Sequence, residues 1–185
     1  MTSPSVPGDR TSGPPIGRAI VVMGVSGSGK TTLASAVAGA LGYTFVEGDD
    51  LHPAANVAKM SAAVALTDDD RWPWLGRVAA QIRDLNEIGC VISCSALKRS
   101  YRDYIRNQAG GGVTFVYQEV DDMTLANRLK SRPGHYMHPS LLDSQLATLE
   151  RPDADEAALH LSGRLSPEIL SRQVLEYFMG SEGTP

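Results

Sequence analysis

From Arg18 onward, short apolar runs alternate with stretches in which apolar residues recur every three or four positions. Ala19–Met23 is an unbroken apolar run, as a strand buried on both faces of a parallel sheet requires. Leu33, Val37 and Leu41, with many alanines between them, predict a helix over 31–41, and Gly42 supplies a left-handed stop. A strand over 43–46 follows, then helices over 53–61 and 68–88. The second of these carries Leu75, Val78, Ile82 and Leu85 on one face and is stopped by Gly89. Beyond it the pattern predicts a strand at 90–94, a helix at 99–108, a strand at 113–117 and a helix at 122–131. A loop through Pro133, Gly134 and Pro139 leads to a helix at 141–149 and a short strand at 158–161. The closing helix, 167–179, has Ser166 as N-cap and Pro167 in its first position. Five strands separated by helices predict an α/β fold, a parallel sheet covered on both faces with its ligand beyond the carboxyl ends of the strands.

Composition changes this picture little. Residues 1–17 are rich in Pro, Gly and Ser with almost nothing to bury and are expected to form a mobile tail; 181–185 form a second, short one. Residues 18–180 are expected to be one domain, since 185 residues suffice for a buried core. With 17 Lys+Arg scattered among 21 Asp+Glu and a net charge of −4, no basic stripe recommends a nucleic-acid partner. No apolar stretch approaches the roughly 20 residues that cross a bilayer, and the N-terminus lacks the apolar core of a signal peptide. The expectation is a cytoplasmic protein with no membrane partner. Cys90 and Cys94, four apart in an apolar run, read as core thiols of a reducing compartment and match neither a disulfide framework nor a zinc pattern.

The strongest chemical signal is Gly24-Val25-Ser26-Gly27-Ser28-Gly29-Lys30-Thr31, which fits G-x-x-x-x-G-K-[ST] between a predicted strand and a predicted helix. Gly24, Gly27 and Gly29, with Ser26 and Ser28, let the backbone wrap phosphate oxygens so that its N–H groups form an anion nest. The helix start adds partial positive charge. In such a loop Lys30 reaches the β- and γ-phosphates, Thr31 ligates magnesium, and Thr32 adds a further contact to ATP. The loop alone does not separate kinases from GTPases or ATPases. The Asn-Lys-x-Asp base-reading signature is missing, and the run 90–94 ends in Ser95 where a magnesium-binding Asp would stand. Carboxylates follow the second strand instead, at Glu47-Gly48-Asp49-Asp50. That arrangement suits a small kinase in which an acid orients the acceptor hydroxyl and takes its proton.

Five runs occur in order over about residues 19 to 178: Gly24–Thr32, Glu47–Met60 (EGDDLHPAANVAKM), Leu66–Leu75 (LTDDDRWPWL), Cys94–Lys98 (CSALK) with Tyr101-Arg102-Asp103, and His135–Glu150 (HYMHPSLLDSQLATLE). On these runs the chain resembles the gluconokinases, relatives of shikimate and nucleoside-monophosphate kinases. The resemblance implies a three-layer α/β/α P-loop NTPase fold, with a substrate-covering helical segment over about 50–75 and a helical lid over about 131–142. It further implies ATP and Mg2+ as cofactors, a homodimer, and transfer of the γ-phosphoryl group to the 6-hydroxyl of D-gluconate. Arg128 would stack on adenine, and Arg132 would meet the phosphates as a catalytic lid arginine. His135 and Gln145 would touch substrate or brace the lid.

Alternatives stay open for most of the remaining residues. Asp49 is the expected catalytic base, although Asp50 could serve, or could support magnesium through water; both acids also suit a helix start. His52, Asn56 and Lys59 share one helix face and offer polar groups to a polyhydroxylated acid, or are a solvated face. Arg71 suits the gluconate carboxylate, or pairs locally with Asp68 or Asp69. Trp74 is either a substrate wall or core. Ser95 and Lys98 sit at the carboxyl edge of the sheet, and Arg102 brings a second arginine to the same neighbourhood; Lys98 could equally be an exposed lysine starting a helix.

Two departures from the family pattern stand out. Ala63 and Ala65 replace the usual Gly and Pro, and if Gly supplied a positive φ the local backbone is expected to change. Thr32 stands where Ser is usual, a mild change.

Overall fold

The computed structural model describes residues 18–121, 123–125, 128 and 139–180. Its strands are β1 (Ala19–Met23), β2 (Thr44–Glu47), β3 (Cys90–Ser93), β4 (Val113–Glu119) and β5 (Leu159–Ser162). They form one sheet in the order β2-β3-β1-β4-β5, and every pairing is parallel. Between them run α1 (Lys30–Leu41), α2 (Ala54–Ser61), α3 (Asp68–Leu85), α4 (Arg99–Ala109), α5 (Pro139–Thr148) and α6 (Pro167–Gly180). One-turn 3-10 helices lie at Gly48–Leu51 and Ala154–Glu156, and Met123, Thr124, Leu125 and Arg128 are helical.

The period-2 geometry of a strand explains the layers. Along β1, Ala19, Val21 and Met23 face a core shared with Leu75, Val78 and Ile82 of α3 and with Tyr101 and Ile105 of α4. Ile20 and Val22 face the opposite core, shared with Leu33 and Val37 of α1 and with Leu170, Val174 and Phe178 of α6. Both faces of the sheet are therefore covered, as the unbroken apolar run of β1 requires. No helix among the described residues is long and apolar enough to cross a membrane.

The caps follow local chemistry. Gly42 adopts φ 68 and its N–H reaches Ala38 O, while Ser166 Oγ accepts from Ile169 N. Helix α3 starts in a capping box between Thr67 and Asp70 and ends at Leu85, three residues before the expected stop; Gly89, with φ 87, closes the turn that follows. At the first of the two departures, Ala63 adopts φ 56, a left-handed conformation that glycine would hold at lower cost.

Candidate active site

The carboxyl ends of β1, β2 and β3 meet at one edge, and the phosphate loop leaves β1 there. Gly24 (φ 140), Gly27 (φ 79) and Gly29 (φ 103) hold conformations that side chains disfavour, which explains the spacing of the motif. Among the described residues no side chain caps the start of α1, whose N-cap is Gly29, and the uncapped amides of a helix start suit an anion. Lys30 Nζ donates to Val25 O at 3.0 Å, and Ser26 N donates to Gln145 Oε1 at 2.7 Å, which brings α5 against the loop.

A cleft opens beside this loop. Lys30, Asp49, His52, Arg71, Ser95 and Gln145 are its main polar lining, with Ser26 at the loop and Met60, Leu66, Trp74, Leu97 and Leu141 as apolar walls. The 3-10 turn that carries Asp49 is fixed at Gly48, where a Cβ would strike Ser93 O. Trp74 Nε1 donates to Gly48 O at 2.7 Å from the buried side, and the indole stacks on His52 with centroids 4.2 Å apart. Trp74 is thus both core and cleft wall. Burial, together with the nearby Arg71 charge, lowers the His52 pKa to about 4, so the ring is neutral at pH 7.

Arg71 both faces the cleft and pairs locally. It lines the cleft, its Nη1 donates to Tyr101 Oη at 3.2 Å, and it lies 3.6 Å from Asp68. Tyr101 Oη in turn donates to Asp68 at 2.5 Å, and Lys98 Nζ meets both Asp68 oxygens at 2.9 and 2.7 Å. The Lys98 and Tyr101 hydrogen bonds hold the Asp68 carboxyl below its usual range.

Four expected substrate contacts stand elsewhere. Lys98 is engaged by Asp68 and is not part of the cleft lining. Lys59 pairs with Asp70 at 2.6 Å; that bond, with those from Thr67, lowers the Asp70 pKa to about 2. Asn56 is buried behind His52. Arg102 is the clearest correction: it is fully buried, its Nε and Nη2 each donate to Glu156 at 2.6 Å, and its Nη1 reaches the carbonyls of Ala96, Leu97 and Glu150. A guanidinium so enclosed braces α4 against the segment before β5 and, being fully buried, cannot present its donors to a substrate. Arg132 and His135 lie outside the described residues.

Glu47 is the functional candidate that the sequence reading passed over. Thr31 Oγ1 donates to Glu47 Oε2 at 2.8 Å, and Ser93 Oγ donates to the other carboxylate oxygen. Asp50, expected to support magnesium, is exposed and does not line the cleft. The carboxylate set beside the P-loop threonine is Glu47. A threonine hydroxyl and a carboxylate are hard oxygen donors of the kind magnesium takes, and one or two of them suffice when phosphates supply the rest. The signal available in sequence was the position of Glu47 as the last residue of β2.

A second cavity lies on the other side of the loop, between Gly27–Gly29, Thr32, Gln118, Arg128, Leu165 and Pro167. Arg128 donates to Ser28 O at 2.9 Å and to Gly163 O at 2.8 Å, bridging the loop to the turn before α6. Gln118 Oε1 and Ser28 Oγ are buried here without a hydrogen-bond partner among the described residues.

The AAA domain family matches residues 20–152. A gluconokinase of Gluconobacter oxydans is 46% identical over 167 residues, covering 89% of this chain and 93% of the relative. The thermosensitive gluconokinase of Escherichia coli is 46% identical, covering 76% of this chain and 75% of the relative. Among solved structures, a gluconokinase from Sinorhizobium meliloti aligns with TM-score 0.77 at 42% identity, covering 90% of this chain and 97% of that one. A sugar kinase from Janibacter sp. aligns with TM-score 0.82 at 42% identity, covering 88% and 95%. A shikimate kinase from Aquifex aeolicus, at 16% identity and TM-score 0.51, shares the fold alone.

Proposed function

The chain belongs to the gluconokinase family, and we propose that it transfers the γ-phosphoryl group of ATP to the 6-hydroxyl of D-gluconate, giving 6-phospho-D-gluconate and ADP. The observation that carries this reading is one cleft with Lys30, Asp49 and Arg71 on its walls. Lys30 offsets charge at the transferring phosphate, Asp49 accepts the hydroxyl proton, and Arg71 offers its guanidinium to the substrate carboxylate. As the hydroxyl oxygen bonds to the γ-phosphorus, the bond to the leaving oxygen of ADP breaks. His52, Ser95, Gln145 and Trp74 are proposed to shape the cleft around the polyol.

The nucleotide is proposed to lie with its phosphates on the loop 24–32 and its adenine in the second cavity, against Arg128. Thr31 and, through water, Glu47 are the groups suited to hold Mg2+, which supplies neutralising charge to the β- and γ-phosphates when bound. On family grounds the same proposal includes Arg132 at the phosphates, His135 near the substrate, a homodimer and a cytoplasmic setting, with neither nucleic acid nor membrane as partner.

The test is ADP release with ATP, Mg2+ and D-gluconate, against shikimate, glucose, glucuronate and AMP. Turnover with gluconate alone supports the assignment. Turnover only with another acceptor overturns the reading of Asp49, His52 and Arg71 as a gluconate site.

A further inference from the structure

We propose that Asn56 is a positioning residue that fixes His52 as its Nε2–H tautomer, so that a hydrogen-bond donor and not a positive charge meets the acceptor hydroxyl beside Asp49.

The geometry leaves one assignment of protons. Asn56 is 3% exposed, and its Nδ2 lies 2.7 Å from Asp70 O. A carbonyl oxygen only accepts, so the atom facing it is the amide nitrogen and the carboxamide cannot be turned over. That same nitrogen lies 3.3 Å from His52 Nδ1. With one N–H on Asp70 O, the other points at Nδ1, which must then carry the lone pair. A neutral imidazole holds its single proton on the remaining nitrogen, Nε2. The ring plane is set by the stack on Trp74, itself anchored to Gly48 O. Asp70 is held in turn by Lys59 and by the Thr67 capping box, so the back of α2 is pinned to the first turn of α3. Asn56 and Lys59, expected at the substrate, act instead from behind the residue that reaches it.

On the cleft side, His52 Nε2 lies 4.0 Å from Asp49 Oδ1. That distance is too long for a direct hydrogen bond but suits a substrate hydroxyl resting against both groups. Asp49 then takes the proton of that hydroxyl while Nε2–H orients its oxygen or a neighbouring one. An imidazolium in this place would stabilise the Asp49 carboxylate and weaken it as a base, and would repel Arg71 on the facing wall. A fixed neutral donor avoids both effects.

The role in turnover rests on the cleft being the gluconate site; the tautomer does not. Long-range 1H–15N spectra of the wild-type enzyme labelled at histidine nitrogen read the tautomer directly. A pyridine-type Nδ1 and a pyrrole-type Nε2 for His52 are expected, and the reverse pattern overturns the proposal whether or not gluconate is the substrate. Asn56→Ala is expected to mix the tautomers; an unchanged spectrum overturns the part given to Asn56. For turnover, His52→Gln places an amide N–H close to where Nε2–H stands, and His52→Asn places one near Nδ1. The glutamine variant is expected to keep kcat within about tenfold of wild type, and the asparagine variant to lose about 10²-fold, the usual effect of deleting a donor aimed at the reacting group. Equal losses in two folded variants overturn the donor role. Failure of the wild type to phosphorylate gluconate would instead remove the proposed substrate, leaving the tautomer measurement to stand.

Discussion

Thr31 Oγ1 donates to Glu47 Oε2 at 2.8 Å, tying the first turn of α1 to the end of β2. The other oxygen of that carboxylate accepts from Ser93 Oγ and from Asp49 N. One side chain therefore orders the P-loop threonine, the end of β3 and the backbone of the residue assigned as base. Glu47→Gln keeps the shape and removes the charge. It is expected to lower kcat by about 10- to 100-fold and to raise the Mg2+ concentration needed for half-maximal rate, as loss of a group orienting a metal ligand does. A magnesium titration of ADP release checks this; an unchanged magnesium requirement would separate Glu47 from the metal.

Arg102 and Glu156 form a buried, doubly hydrogen-bonded pair, so breaking it strands a charge in the core. Arg102→Met is expected to cost about 3–5 kcal/mol of unfolding free energy, measured by denaturant melts, with little change in the KM for gluconate. The double variant Arg102→Met/Glu156→Leu should recover much of that loss. Burial works to raise the Glu156 carboxyl, but the Arg102 bonds and charge prevail and the net shift is downward. The contribution of the pair is accordingly present above the usual glutamate range and is lost as pH falls through the lowered value.

Arg102 also shows what sequence could and could not tell. The phosphate loop and the five strands were legible because periodicity and motif spacing are local signals, and Asp49 and Arg71 were singled out on the family resemblance of the runs that hold them. The partner of Arg102 lies 54 residues away, and no local pattern announces it. Lys59 and Lys98 misled for the same reason: each is a cation on the expected face, and each is taken by an aspartate of the first turn of α3. Glu47 was hidden in the opposite way, since the acids beside it, Asp49 and Asp50, offered the more familiar pattern. Its role emerges only once β2 is seen to end beside Thr31.

Ala63 pays a conformational penalty in plain view, with φ 56 at the turn that follows α2. The left-handed conformation costs alanine about 1–2 kcal/mol, and glycine gives back part of the gain through its freer unfolded chain. Ala63→Gly is expected to stabilise the protein by about 0.5–1 kcal/mol, read as a raised denaturation midpoint at constant m-value. A lower midpoint would show that the backbone there is not held in the left-handed region.

His52 sets an acid-side limit on stability. Its folded pKa of about 4 lies below the ordinary value of 6.5, so as pH falls the unfolded chain takes up the proton first. Stability is therefore full above about 6.5, drains between 6.5 and 4, and does not change further from this group below 4. The loss over that window is at most about 3.4 kcal/mol. Denaturant melts across it should show a slope that His52→Gln removes; the same slope in the variant would assign it to other groups.

Asp49 and Asp50 are adjacent in sequence but not in environment. Both are exposed, but Asp49 lines the cleft together with Lys30, His52 and Ser95, whereas Asp50 lies outside it. A base must reach the proton it removes, so the two should respond differently to loss of the carboxylate. Asp49→Asn is expected to lower kcat by about 10²- to 10⁴-fold while ATP still binds, because the phosphate loop is untouched. Asp50→Asn is expected to stay within about threefold of wild type, as a surface change away from the reacting groups does. Single-turnover measurements with saturating ATP distinguish a lost chemical step from weakened binding. If Asp50→Asn proved the slower of the two, the proton would leave by another path, and the cleft would have to close differently around gluconate.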